Sequence, residues 1–303
     1  MRLAIRVLLF VLVIAAVGIT LTVMPAHQQI RTVAPALPNA EEIRRAVYQN
    51  NKPISVSYVA TSSQKAGDRL LVHPSIVVQW ANGDLFLIDA GMDAEGAKDF
   101  GKTMQLLWGA DEAIAYPSVA DTLGNAVSQV KGIGFTHLHI DHTQGVKELC
   151  KARKNLGLPA LAAYQTSYQN ELHNLHTQEG AELVNNSCLK PLPLNKDGIN
   201  TLSNFNGLVM VPLGGHTPGS TLFAVAVGRQ ILLFAGDITN TKADLRANRG
   251  KGFFYSNLAV PEDTQRLEAL REWLNQLASE PDMSVIVAHD LGDLRQNLMP
   301  MDY

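Results

Sequence analysis

The sequence predicts an α+β fold in which two sheets face each other and helices cover their outer sides. Three observations predict it. Short β-branched or apolar runs, broken by Gly and Asn turns, recur in both halves of the chain. Each half runs strands first and helix afterwards. The helix of the second half, Glu262–Leu277, sets Leu267, Leu270, Trp273, Leu274 and Leu277 at helical spacing. Strands of this kind need an apolar layer to bury against, and a facing sheet supplies it. With 303 residues, 46 % of them apolar, the chain can bury a sizeable core.

The first 26 residues stand apart. Arg2 and Arg6 precede or flank the start of Val7–Met24, a run of 18 residues without a charge. A positive start followed by an apolar run is the pattern of an export signal, and this run is long enough for one membrane span. Residues 1–26 are expected to be a signal peptide, with Met24-Pro25-Ala26 as its best cleavage site, or an N-terminal membrane anchor. In either case the remainder is exported to the periplasm, soluble or anchored to the inner membrane. No lipidated cysteine follows the run. Export permits a disulfide between the two cysteines, Cys150 and Cys188; two buried free thiols are the other reading.

Residues 27–52 read as a linker with one short helix, Glu41–Gln49, because the prolines of "APALP" (Ala34–Pro38) remove donors and restrict their neighbours. Residues 53–303 form the main domain. Ile54–Val59, Ser75–Trp80 and Leu85–Asp89 are expected strands, the last two joined by the hairpin signal "ANGD" (Ala81–Asp84). Residues 93–131 read mainly as helix. Ile133–Phe135 is a short strand, followed by helices over Gly145–Lys154 and Tyr164–His176. Leu208–Pro212, Thr221–Val227 and Gln230–Phe234 are strands, the last two meeting at Gly228-Arg229. Ser284–Ala288 is the final one. The net charge of −3, with acids and bases mixed and no basic run, excludes a nucleic-acid partner.

One stretch concentrates metal-ligand chemistry. "FTHLHIDHTQG" (Phe135–Gly145) carries three of the nine histidines and an aspartate within six residues. After a strand, His137 and His139 would point to one side while Leu138 and Ile140 face the core. Asp141 and His142 can then converge from the following loop. Imidazole nitrogen and carboxylate oxygen are the ligands zinc takes when cysteine is absent. Further candidates sit where strands end: His216 in "GGHTPGS" (Gly214–Ser220), Asp237 in "FAGD" (Phe234–Asp237) and His289 in "VIVAHD" (Val285–Asp290).

The ordered set HxHxDH, GHTPGS, AGD and a late strand-AHD resembles the metallo-β-lactamase superfamily of hydrolases. The upstream "LFLIDAG" (Leu85–Gly91) is similar to that family's strand-Asp-x-Gly element, so the likeness spans Leu85 to Asp290. It implies a four-layer αββα sandwich with two metal ions, Zn2+ by default and other divalent ions by the same ligands, at one edge between the sheets. It implies that His137, His139 and His216 hold the first ion, that Asp141, His142 and His289 hold the second, that Asp237 bridges both, and that Asp89 orients the ligand loop.

Two divalent ions about 3.5–4 Å apart can share a water and lower its pKa toward about 7. The resulting hydroxide attacks an electrophilic centre while the second ion polarises the carbonyl or steadies the leaving oxygen. Asp141 is placed to handle a proton as the bond breaks. No GxSxG elbow offers a serine nucleophile. Within the superfamily the chain most resembles acyl-homoserine lactonases and related lactone or ester hydrolases. Those carry a tyrosine three residues after the bridging aspartate; here that position is Asn240, and Tyr255 and Tyr164 are the candidates for the missing phenol. The alternatives are a periplasmic β-lactamase, a glyoxalase II-like thioesterase, a mononuclear-iron persulfide dioxygenase, or a non-enzymatic binding module. The β-lactamases with His and Asp ligands generally lack the bridging carboxylate. The thioesterases expect a helical domain after the last ligand, where only 14 residues follow His289. The flavodiiron group has Glu where this chain has His139.

Other residues of interest read as structural. His173 and His176 lie three apart on an expected polar helix face. His73 precedes Pro74 in an expected exposed loop, and His27 belongs to the linker. Trp80, Trp108 and Trp273 read as core or helix-packing residues. The aromatics of "GKGFFYSN" (Gly250–Asn257) either wall the substrate pocket or pack the helix Glu262–Leu277 onto its sheet.

Overall fold

Four layers, helix-sheet-sheet-helix, emerge in the computed structural model, which describes residues 2–174 and 177–301. The strands are β1 (Ser55–Ala66), β2 (Arg69–Gln79), β3 (Leu85–Ile88), β4 (Ile114–Ala115), β5 (Val130–Gly134), β6 (Leu161–Thr166), β7 (Leu189–Leu194), β8 (Asn200–Thr201), β9 (Leu208–Pro212), β10 (Thr221–Val227), β11 (Gln230–Phe234), β12 (Met283–Ile286) and β13 (Met299–Pro300). The first sheet runs β13-β1-β2-β3-β5-β6-β7, with β4 on β1; the second runs β12-β11-β10-β9-β8. β3, β5, β6 and β7 pair in parallel, as do β11 and β12.

Alternation along the strands divides the core. On β3, Phe86 and Ile88 face the second sheet, while Leu85 and Leu87 face the helices behind. On β10, Phe223 and Val225 face inward; Leu222, Ala224 and Ala226 meet the helices Ala40–Val47 and Thr264–Ala278. These strands are therefore buried on both faces rather than one, which is why they read as unbroken apolar runs. Gly132 and Gly134 of β5 admit aromatic rings: a Cβ on Gly132 would lie within 3.0 Å of Phe86 and Phe205, and one on Gly134 within 3.0 Å of Phe223.

Several elements depart from expectation. The hairpin β1–β2 runs about half a dozen residues further than the apolar pattern indicated, turning at Gly67-Asp68, with a register break at Ala60–Ser62 opposite His73 and Pro74. A proline inside a run argues against a strand, and the bulge is what accommodates it here. The expected helix Tyr164–His176 is instead the strand β6 followed by the short helix Ser167–Glu171. β7 contains Pro191 and Pro193, which is tolerated because it is an edge strand. His137 and His139 lie on the loop after β5, not on the strand; His139 sits at the start of the helix Ile140–Thr143.

The stretch 27–52 is packed onto the second sheet. Ile30, Val33, Ile43 and Val47 are buried, and the helix Ala40–Val47 begins with a reciprocal capping box between Asn39 and Glu42. Ahead of it, one apolar helix runs over Ala4–Ile30 with mean hydropathy 2.9, long and apolar enough to cross a membrane by length and composition. Cys150 and Cys188 form a disulfide that ties the helix Val146–Asn155 to the start of β7.

Candidate metal centre

Asp89 follows β3, His137, His139, Asp141 and His142 follow β5, His216 follows β9, Asp237 follows β11 and His289 follows β12. These strands end at the same edge, so side chains far apart in sequence meet there. Glycine makes two of the turns possible: Gly214 and Gly236 have φ of 69° and 57°, and a Cβ on them would strike the Val33 carbonyl and the Thr136 side chain.

Two clusters form. In the first, His137 Nε2 lies 3.0 Å from His139 Nδ1, and His216 Nε2 lies 3.1 Å from the same atom. In the second, His142 Nε2 lies 3.6 Å from Asp141 Oδ2, and His289 Nε2 lies 3.7 Å from that oxygen. Asp237 stands between them. Its Oδ1 is 3.3 Å from His142 Nε2 and 2.7 Å from His289 Nε2, and its Oδ2 is 3.6 Å from His216 Nε2. All seven side chains are buried.

The surroundings hold four of the five rings by their other nitrogen. His142 Nδ1 lies 2.8 Å from Asp89 Oδ2, His216 Nδ1 2.5 Å from Glu262 Oε1, His289 Nδ1 2.8 Å from the Val72 carbonyl and His137 Nδ1 3.2 Å from Thr136 Oγ1. Such partners fix the tautomer and aim the free nitrogen inward. Asp89 also accepts from the Thr136 amide and hydroxyl, so it ties β3 to the loop after β5.

The donor set fits divalent cations. His139 Nδ1 has two imidazole nitrogens within hydrogen-bond distance in a buried site, and shared protons cannot satisfy all three; a cation among them accepts every lone pair. Ligand atoms of His137, His139 and His216, and of His142, Asp237 and His289, lie within 4.8 Å of each other in each group. Burial, then the neighbouring His142 and His139, hold the His137 ring well below the usual histidine range, which keeps it neutral. Burial and Lys251 also lower the pKa of His216. For His142, burial is outweighed by Asp141 and Asp89, and its pKa rises well above the usual value; Asp237 similarly raises His289. Asp141 and Asp237 stay ionised: burial opposes this, but His142 and His289 respectively prevail.

Three neighbours had no distinct sequence signal. His73, expected in an exposed loop, is buried on β2 with Nδ1 3.2 Å from Asp141 Oδ2. Glu262, read as the first residue of a helix, is buried against His216 and Ser256. Lys251 extends its Nζ to 3.1 Å from Asp237 Oδ2 and 3.6 Å from Glu262 Oε1. Each is a lone polar residue from a separate element, and only the fold brings it to the cluster.

A cleft of about 440 Å³ opens onto the cluster. His139, Asp141 and Asp237 form its floor. Phe100, Met104, Leu107 and Trp108 of the helix Ala94–Trp108 form one apolar wall, and Tyr255 and Val260 form the other. Trp108 thus lines the cleft and is exposed rather than packed in the core; Trp80 and Trp273 are buried as expected. Of the loop aromatics, Tyr255 reaches the cleft, its ring 5.9 Å from that of Trp108. Phe253 and Phe254 neither wall it nor pack the helix, being 75 % exposed. Tyr164 packs with Phe86 and Phe205 between the sheets. His173 joins neither cluster and has Nε2 3.1 Å from the Asn170 carbonyl; His176 lies outside the described residues.

Residues 68–289 match the family model described as the metallo-beta-lactamase superfamily. Curated relatives from Mycobacterium bovis and Mycobacterium tuberculosis, each named "Probable metallo-hydrolase", are 25 % identical over 267 residues, covering 78 % of this chain and 81 % of theirs. Among solved structures, an N-acyl homoserine lactone hydrolase with N-hexanoyl-L-homoserine at its catalytic metal centre matches with TM-score 0.57 and 14 % identity, over 82 % of this chain and 98 % of that one. A dizinc quorum-quenching lactonase matches with TM-score 0.52 and 15 % identity, over 79 % and 89 %. The match of the family model over most of the chain, on a fold that gathers these histidines and aspartates at one sheet edge, makes this chain a metal-dependent hydrolase of the metallo-beta-lactamase superfamily.

Proposed function

We propose that the protein is a dinuclear hydrolase that opens lactones or esters bearing an acyl chain, in the manner of an N-acyl-homoserine lactonase. The observation that carries this reading is Asp237, whose two oxygens face the two histidine clusters separately. A site for one ion has no need of a carboxylate so placed, which weighs against the mononuclear-iron reading. His137, His139 and His216 would hold one ion, Asp141, His142 and His289 the other, with Zn2+ the default. Bound as a pair, divalent ions supply hydroxide at neutral pH and polarise the substrate carbonyl.

The chain's own residues do the rest. The apolar walls of the cleft bury an acyl chain and exclude water from the floor. Asp141, at the floor and steadied by His73, is placed to carry a proton toward the leaving oxygen. Tyr255 supplies the phenol absent at Asn240. Burial, against the pull of Lys251, pushes its pKa up, so at neutral pH it is a hydrogen-bond donor to a carbonyl. Lys251 holds Asp237 in place and cannot itself act as a base, since Asp237, Tyr255 and Glu262 keep it charged against burial.

The N-terminal helix is proposed to serve as an export signal or a retained membrane anchor, with the domain in the periplasm. The Cys150–Cys188 disulfide supports an oxidising compartment. A purified-protein panel tests the activity: an acyl-homoserine lactone, a cephalosporin, a thioester and an aryl ester, each with and without chelator. Chelator-sensitive lactone hydrolysis with the cephalosporin untouched is the expected result. Cephalosporin turnover with an inert lactone would overturn the reading in favour of a β-lactamase.

A further inference from the structure

Next in the chain to the cleft-lining Leu107 and Tyr255 stand exposed apolar side chains that the hydrolytic site does not use. Phe253 and Phe254 are each 75 % exposed and Leu106 85 %, while Leu107, a wall of the cleft, is itself 58 % exposed. Trp108 and Tyr255 join the two sides of the cleft through their rings. Isolated exposed apolar residues need no explanation, but a cluster of large ones beside a site marks an interaction surface.

The N-terminal helix arrives at the same place. Its outer turns are exposed, whereas Val23, Ala26 and Ile30 are buried against the body. His27 Nε2 lies 3.1 Å from the carbonyl of Asn257, in the very segment that follows Phe253 and Phe254, and Gln29 Nε2 donates to the His173 carbonyl at 3.4 Å. The uncharged run Val7–Met24 is roughly 27 Å long at 1.5 Å per residue, close to the thickness of a bilayer core. A helix that spans a membrane and ends on the loop Gly250–Asn257 holds that loop at the lipid surface.

We propose that the rim of the cleft docks on the lipid bilayer that holds the N-terminal helix, with Phe253, Phe254 and Leu106 inserted among the acyl chains. The cleft then opens toward the membrane and takes amphiphilic substrates with long acyl chains directly from it. Its apolar walls, formed by Met104, Leu107, Trp108 and Val260, continue the lipid phase down to the floor. The inference rests on the helix being a retained anchor and on the acyl-lactone or acyl-ester reading of the site.

The test uses the full chain reconstituted into phosphatidylcholine vesicles, plain or with brominated acyl chains. The chain has three tryptophans, and Trp80 and Trp273 are 6 % and 9 % exposed, so bromine quenching reports on Trp108. The expected result is loss of emission in brominated vesicles, abolished by Trp108→Phe and weakened by the double variant Phe253→Ser/Phe254→Ser. The double variant is also expected to raise KM for a long-chain lactone in vesicles by about tenfold or more, the loss of one to two buried phenyl contacts. Its kinetics on a water-soluble short-chain ester stay unchanged, which shows that it folds. A protein that floats with vesicles while Trp108 stays unquenched overturns the docking and leaves the anchor standing. A protein that does not float overturns both, and the ester assay judges the hydrolytic site separately. An unquenched Trp108 with a crosslinked dimer lost in the double variant would assign the patch to a second copy of the chain.

Discussion

Asp237 and Glu262 divide two tasks at the centre of the site. The first faces both clusters, and the second grips His216 from behind while accepting from Ser256. Replacing a group that orients a metal-binding histidine costs about 10- to 100-fold in metal affinity. Glu262→Gln is therefore expected to weaken the ion proposed for His137, His139 and His216 by that factor in a chelator competition while retaining the fold. Protons compete at the second cluster. Over the opposition of burial, Asp141 and Asp89 raise His142 well above its usual value and Asp237 raises His289, so both rings hold their protons to higher pH than a free histidine. An ion bound there would displace those protons, so its affinity should climb with pH through the usual histidine range and level off only above the raised values, with protons released on binding. Calorimetry in buffers of different ionisation enthalpy measures that release; a pH-independent affinity would contradict it. The histidines and aspartates of Phe135–Gly145, Gly214–Ser220, Phe234–Asp237 and Val285–Asp290 were legible because each sits in a short, patterned motif after a strand. His73, Glu262 and Lys251 were not, because each is a single polar residue whose partner lies on another element.

The strand β5 shows how packing of elements aims the site. Its two glycines let the Phe86, Phe205 and Phe223 rings close over it, which seats the loop carrying His137 and His139 against the second sheet. Gly134→Ala would bring a methyl group to 2.7 Å from the Phe223 ring, which is fully buried and has no room to retreat. The expected cost is about 1–3 kcal/mol, read as a lower urea midpoint with an unchanged slope. Strands with apolar residues on both faces announced themselves as continuous runs. β6, β7 and the outer half of the hairpin β1–β2 did not, because alanine, proline and polar residues fill them. There tertiary pairing, not local preference, decides the conformation.

At the scale of the molecule, two sheets are pinned together by a shared edge. The first sheet delivers Asp89, His137, His139, Asp141 and His142; the second delivers His216, Asp237 and His289. The αββα order was legible from strand-helix alternation together with the motif set, whereas the packing of residues 27–52 onto the second sheet was not, since its prolines read as a tether. Because each ion would take donors from both sheets, metal loading should couple the halves. The most direct measurement is elemental analysis of the purified chain and of Asp237→Ala, alongside lactone hydrolysis. Two divalent ions per chain, falling to one or none in the variant together with an activity loss of at least about 100-fold, is the predicted result. A single ion per chain, unchanged in Asp237→Ala with activity retained, would contradict the account.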